Sequence, residues 1–365
     1  MASEKFENRK LTGKVNVACK YDDGTTRFWN TLKEDVVDQI TKIVRDYRQQ
    51  GYVLTLRQLH YQMVTRFPDA YVNHDTAYKK LGTILDDCRY AGIIDWEAIE
   101  DRGRVPYIPF YADGVDDALK IIANQYRLDR QKTQTNVVEL WTEKDALSGI
   151  LKKTTQKYHV RLVVNKGYTS SSAAYNAYQR VLNAIREGKT FSILYFGDHD
   201  PSGLDMVRDI RERIELMLTS GNFRRELAEK ASEWDEEKLR DINFKHQDIE
   251  RGYTGDGYED EELHMASLAA KELFQIIPIG LTMSQIKQFN LPPNPTKLTD
   301  TRADKYIAKF GKTCWEVDAL SPSTLTSLVE KNIKDNIDMG AFEDMIDEEA
   351  AGKKTLLSFI ETRKK

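Results

Sequence analysis

A chain of 365 residues is long enough for two or three domains with cores of their own. Its 40% hydrophobic and 31% charged residues exclude a disordered chain, and no run approaches the roughly 18 apolar residues of a membrane span. A net charge of −4 points to no polyanionic partner, yet it does not exclude nucleic acid, because a local basic groove is what neutralises phosphates.

The opening MASEKFENRK has no apolar core, so no secretory signal is expected. Three distant cysteines, Cys19, Cys88 and Cys314, form neither a disulfide framework nor a zinc knuckle, which fits a reducing cytoplasm. Residues 1–28 read as an N-terminal extension with a short strand, VNVACKY, and a turn at Asp22-Asp23-Gly24. An amphipathic helix follows: Thr31 and Glu34 have capping-box spacing, and Leu32, Val36, Val37, Ile40, Ile43, Val44 and Tyr47 recur at helical period until Gly51. A second helix starts at Thr55, again with capping-box spacing to Gln58. A third runs from about Asp75 to Ala91 with Tyr78, Leu81, Leu85 and Cys88 inward, and IIDWEAIEDRGR after it predicts a short wing. Three helices and a wing over 29–110 read as a winged-helix module. Lys79, Lys80, Arg89, Arg102 and Arg104 are then the candidate DNA-binding residues, against the reading that they are ordinary solvated charges, which Asp86 and Asp87 favour.

VPYIPFYADG opens a linker, placed at 111–135, and strands then alternate with helices. NVVELWTE, VRLVVNKG, FSILYFGD and LFQIIPIGLT predict strands separated by helices, hence right-handed crossovers and a mostly parallel sheet over 136–365. The charged segment 222–262 reads as an insertion, and TLLSFIETRKK as a terminal helix.

Carboxylates stand where two of these strands end: Glu143 after the first, Asp198 and Asp200 after the third. Sites of open α/β sheets collect at such ends. Side chains at i and i+2 of an extended segment face the same way, about 6–7 Å apart, so Asp198 and Asp200 aim at one point with His199 turned away. Converging carboxylates repel unless a cation lies between them, and oxygen ligands without Cys or His suit Mg²⁺. Against this stands the reading of GDHDPSG as a polar turn with a helix-capping Asp.

WTEKDAL followed by YFGDHDPSG resembles the Toprim domain of topoisomerases, primases and some nucleases. The DxDPxG form is most similar to the A subunit of topoisomerase VI and the related meiotic double-strand-break transesterase. The resemblance implies Glu143 as general acid/base and as a metal residue, with Asp198 and Asp200 holding Mg²⁺. NKGYTSSSAAY is similar to the family's turn after the second strand, where Gly167 would allow a tight approach. In TLRQLHYQ, Arg57 stands four residues before Tyr61, so guanidinium and phenol share one helix face, with Leu56, Leu59 and Met63 facing the core. The family's nucleophilic tyrosine follows an arginine in this way. The departure is His60, where several members carry an aromatic; it is expected to point partly toward the core and is not read as a base. The segments IGLTMSQIKQFNLPPNPTK and WEVDALSP look like those of compact bacterial and phage relatives.

The expected fold is therefore mixed α/β, a winged helix followed by a Toprim Rossmann-like domain with a parallel sheet. The expected activity is Mg²⁺-dependent cleavage of double-stranded DNA through a tyrosyl-DNA link. The resemblance further implies a homodimer in which the tyrosine of one protomer faces the acidic site of the other, a separate ATPase B-type subunit, and a nucleoid-associated place in the cytoplasm. A hydrolytic Toprim nuclease, with Tyr61 structural, and a non-catalytic DNA-binding protein retaining the fold are the competing readings.

Overall fold

Three amphipathic helices assemble first. The computed structural model describes residues 5–20, 26–101, 109–220, 223–242, 261–297 and 299–362. Helices α1 (Lys33–Gln49), α2 (Leu56–Arg66) and α3 (Asp75–Tyr90) pack through Val36, Ile40, Ile43, Leu59, Met63, Leu81, Ile84 and Leu85. Each such side chain withdrawn from water contributes roughly 1.5–3 kcal/mol. At α2 the expected cap is present: Thr55 accepts from the Gln58 amide while the Gln58 side chain accepts from the Thr55 amide. At α1 it is not. Residue 31 is instead spent in strand β2 (Thr26–Leu32), which pairs antiparallel with β1 (Lys14–Lys20), so Leu32 takes the cap position without a side-chain bond. The two strands of this unit thus precede the helices. The stretch expected to form a wing holds a 3₁₀ turn, Trp96–Ala98, and one parallel bridge from Leu54 to Ile99. Arg102 and Arg104 lie outside the described residues.

The stretch 111–135 is not a bare linker. Its α4 (Val115–Gln125) lies against the C-terminal helix α13 (Met339–Thr362). The sheet that follows has β3 (Asn136–Thr142), β4 (Arg161–Val164), β5 (Thr190–Phe196) and β6 (Phe274–Gly280), in the order β4-β3-β5-β6 and wholly parallel. Its faces are sorted by strand alternation. Trp141, Phe191, Ile193 and Tyr195 meet α6 (Ser171–Arg186), α7 (Pro201–Ser220), α8 (Arg224–Ser232) and α9 (Glu261–Leu273). Val138, Leu140, Leu194 and Phe196 meet α5 (Ser148–Tyr158), α10 (Met283–Gln288) and α12 (Pro322–Asp335). Cover on both faces is what an all-parallel sheet requires. The flanks of the charged segment therefore belong to the core: α8 packs on α9, burying Leu227 and Ala231 against Ala266 and Ala269. Residues 243–260 lie outside the described residues.

Within β3, Glu139 is fully buried and fully served. One oxygen accepts from Arg161 and Arg180, each at 2.6 Å, and the other from Trp141 and Arg180, each at 2.9 Å. Among the described residues no helix is long and apolar enough to cross a membrane.

Candidate functional site

Strand order reverses between β3 and β5, since β3 is followed on one side by β4 and on the other by β5. The crevice at the carboxyl ends of such a pair is where α/β sheets place ligands. Glu143 and Lys144 leave β3 there, and Asp198, His199 and Asp200 leave β5. Pro201 starts α7 at once, and Asp200 caps it by accepting from the Gly203 amide at 2.6 Å. Only glycine fits at 203, because a Cβ there would stand 2.4 Å from the Asp198 carbonyl oxygen. Gly167 is needed for another reason than close approach: its φ is +106°, and no atom lies within 4 Å of where a Cβ would be.

His199 does turn away. It is buried against Tyr306 of α11 (Ala303–Phe310), with Nδ1 2.8 Å from the Tyr306 hydroxyl, and its ring meets Phe310 and Trp315 edge-on. Its backbone exchanges two hydrogen bonds with Trp315, of 2.9 and 3.0 Å, which lays the segment after residue 314 beside Asp198. The Val317 amide then donates to Asp198 Oδ1 at 2.8 Å. Asp318 and Glu316 arrive with it.

Lys144 is the hub of the cluster. Its ammonium donates to Asp318 Oδ2 at 2.7 Å and to Glu316 Oε2 and forms an ion pair with Asp198 Oδ2 at 2.8 Å, and its side chain is only 9% exposed. Burial alone would lower its pKa; Asp198, Asp318 and Glu316 together hold it well above the usual lysine value. The other oxygen of Asp318 is buried with no hydrogen-bond partner.

The tyrosine comes to the same place. α2 packs on the 3₁₀ turn Val317–Ala319, and Gln62 Nε2 donates to the Leu320 carbonyl at 3.4 Å. Tyr61 thereby lies within its own chain's acidic cluster, beside Glu316. The Lys144 ammonium is 5.5 Å and the Arg57 guanidinium 5.9 Å from the Tyr61 ring centre. Arg57 also pairs with Glu316 at 3.9 Å. The resemblance implies a tyrosine brought by a partner; here tyrosine and acids meet in one chain.

Burial raises the Tyr61 phenol above its ordinary value, and the Glu316 charge adds to that, against Lys144 and Arg57. Glu143 is likewise raised, first by burial and then by Asp200 and Glu316, with Lys144 and Arg57 opposing. Burial pushes Asp198 up to about 7 despite Lys144, and raises Asp200 despite the Gly203 amide. Glu316 is the exception. Burial would raise it too, but Lys144 and the hydrogen bond from Tyr61 hold it below the usual carboxylate value.

Glu143, Asp198 and Asp200, the expected Mg²⁺ set, stand just past the ends of the neighbouring strands β3 and β5. Among the described residues no group of three or more His, Cys, Asp or Glu side chains is placed to hold a metal ion. The reason is occupancy of the oxygens: Lys144 and the Val317 amide take those of Asp198, and the Gly203 amide takes one of Asp200. No step below is routed through a metal.

Of the DNA-contact candidates, Lys79 and Lys80 are exposed on α3. Arg89 is not free: it stacks 4.3 Å over the Trp96 ring and donates to the Trp96 carbonyl, bracing the loop after α3. A groove of about 430 Å³ between α2, α3 and the Asp145 turn reaches Arg57, with Tyr78 and Arg89 on its walls. His60 is buried, with ring nitrogens 2.7 Å from the Tyr71 hydroxyl and 2.9 Å from Asn73 Oδ1, and burial lowers its pKa. That makes it a packing residue, as its place in the sequence implied. Lys144, Glu316 and Asp318 were missed as site residues. The signal was present in WEVDAL, an acid-x-acid repeat of the DHD spacing, although it lies over a hundred residues downstream.

Compared with known proteins, the chain matches no family model and no curated protein.

Proposed function

We propose that the chain cleaves double-stranded DNA by transesterification, as a member of the topoisomerase VI A type with an N-terminal winged-helix unit and a Toprim-like sheet domain. One observation carries the reading: Tyr61 is held against Glu316 between two fixed cations, beside the carboxylates at the ends of β3 and β5.

In this reaction the Tyr61 hydroxyl oxygen attacks phosphorus, its proton passes to the Glu316 carboxylate, and the P–O bond to the leaving sugar oxygen breaks. Glu316 is suited to this by lying beside Tyr61 with its carboxyl held below the usual value, hence ionised. Arg57 and Lys144 offset the charge that develops on the phosphate oxygens. Glu143, whose carboxyl burial raises above its usual value, supplies the proton to the leaving oxygen. Mg²⁺ belongs to the reading as an added cation rather than as a resident of the arrangement described above. Two copies of the chain would make the two cuts of a double-strand break, related by a two-fold axis. A separate ATPase subunit would be needed for any ATP-driven strand passage.

The test is a cleavage reaction on supercoiled DNA with Mg²⁺, stopped by denaturant. Protein covalently joined to DNA through Tyr61, and absent from Tyr61→Phe, is the expected result. Free ends that persist in Tyr61→Phe would instead identify a hydrolytic nuclease, and salt-sensitive binding without cleavage a non-catalytic DNA-binding protein.

A further inference from the structure

We propose that Lys144 is the resident cation of the acidic cluster, and that a divalent ion gains Asp198 and Asp318 only by displacing its ammonium. The inference rests on reading this cluster as the acid half of the cleavage site, but it concerns which cation occupies it.

Three observations converge. The ammonium is nearly enclosed, donates to Asp318 and Glu316 and forms an ion pair with Asp198, so three carboxylates surround it. Three carboxyl groups, those of Asp198, Glu316 and Asp318, crowd one ammonium, and Glu316 also meets Arg57, so acids outnumber the cations that pair with them. The second oxygen of Asp318 is buried without a hydrogen-bond partner, a donor available to an incoming ion at no cost in broken bonds.

Distance forbids both cations from sharing the same oxygens. The ammonium stands 2.7–2.8 Å from Asp198 and Asp318. Mg²⁺ or Mn²⁺ requires about 2.0–2.2 Å and near-octahedral geometry, so the two carboxylates must close inward over the place that Lys144 fills. The lysine stem is long and flexible, and its ammonium stands 5.5 Å from the Tyr61 ring centre. Exchange of the ammonium for a metal ion therefore also removes one of the two cations beside the tyrosine ring. Lys144 is in this sense a positioning residue: it keeps the acids apart from one another and beside Tyr61 until a stronger cation arrives.

Mn²⁺ alone serves as the probe, with the full chain and no DNA. Free Mn²⁺ measured by its paramagnetic resonance signal should show binding to Lys144→Met about tenfold or more tighter than to the wild type, with Lys144→Arg close to the wild type and Asp198→Asn losing the site. Equal affinity in wild type and Lys144→Met, or no Mn²⁺ bound by either, overturns the proposal. Should Lys144→Met not fold, the wild type still decides it. Acylation of Lys144 by a small amine reagent, read by mass spectrometry, should rise on Mn²⁺ saturation while the exposed Lys331 is unchanged. Labelling of Lys144 that stays the same with and without Mn²⁺ overturns it. Because neither readout uses DNA, loss of the tyrosyl-DNA reading and loss of this one are distinguishable.

Discussion

Strand β3 carries two clusters of buried charge, and they are built on opposite principles. In mid-strand, Glu139 receives four hydrogen bonds from three side chains, two of them cationic, so every oxygen is doubly served. At the strand's carboxyl end, Asp198, Glu316 and Asp318 share one ammonium, with a guanidinium 3.9 Å from Glu316, and an Asp318 oxygen has no hydrogen-bond partner. Removing one partner from a buried pair is costly, so a cluster that serves only the fold is expected to be saturated, as the Glu139 cluster is. An unsaturated one has groups left over for something else. The contrast within a single strand is stronger support for a reactive site at residues 143–144 than the mere presence of acids there.

Substitutions that separate the two clusters should sharpen this contrast. Glu143→Gln removes the leaving-group acid and should slow cleavage roughly 10²–10⁴-fold in a timed adduct assay, with little change in melting temperature. The pH profile should show the same division. Because burial holds the Tyr61 phenol above its ordinary value, the rate of adduct formation should climb by about tenfold per pH unit through neutrality, without levelling below the ordinary phenol range, if proton loss from Tyr61 limits it. A plateau near pH 7 would assign the limiting proton elsewhere.

Glu139→Ala should do the reverse. It strands Arg161 and Arg180 and should cost about 3 kcal/mol in denaturant unfolding while leaving the cleavage rate of the folded fraction unchanged. A loss of cleavage beyond the loss of folded protein would erase the contrast. The smallest effect is expected far from both clusters, at Glu330, which joins α12 to α5 by accepting from Lys157 and Tyr158. Those bonds, chiefly that from Lys157, hold its carboxyl down to about 2. Its contribution is therefore present above the ordinary carboxylate range and lost as pH falls toward 2. Glu330→Gln should cost about 0.5–1 kcal/mol near pH 7, and its melting curve should merge with the wild type in strong acid.

The parallel sheet was legible because strands alternating with helices leave few other architectures, and Glu143, Asp198 and Asp200 were legible because strand ends are readable. What escaped is what depends on tertiary choice. The cap expected at Thr31 lost to strand pairing, since the same residue satisfies the spacing of both. α4 was hidden in a proline-opened stretch that becomes an ordered helix by lying on α13. Lys144 reads in sequence as an ordinary charge next to Glu143. Its role appears only when Glu316 and Asp318 are folded back upon it by the two hydrogen bonds between His199 and Trp315.

The short run from Trp315 to Leu320 works as a connecting rod. One end is fastened to the β5 exit through His199, its middle steadies Asp198 through the Val317 amide and sets Glu316 beside Tyr61, and its far end lies under Gln62 of α2. Swinging α2 outward to admit a duplex would pull on all of these at once. The tyrosine would lose its proton acceptor in the same stroke that loosens the aspartate, so an open molecule is a disarmed one. On the proposed reading, cutting would then wait for closure around the duplex.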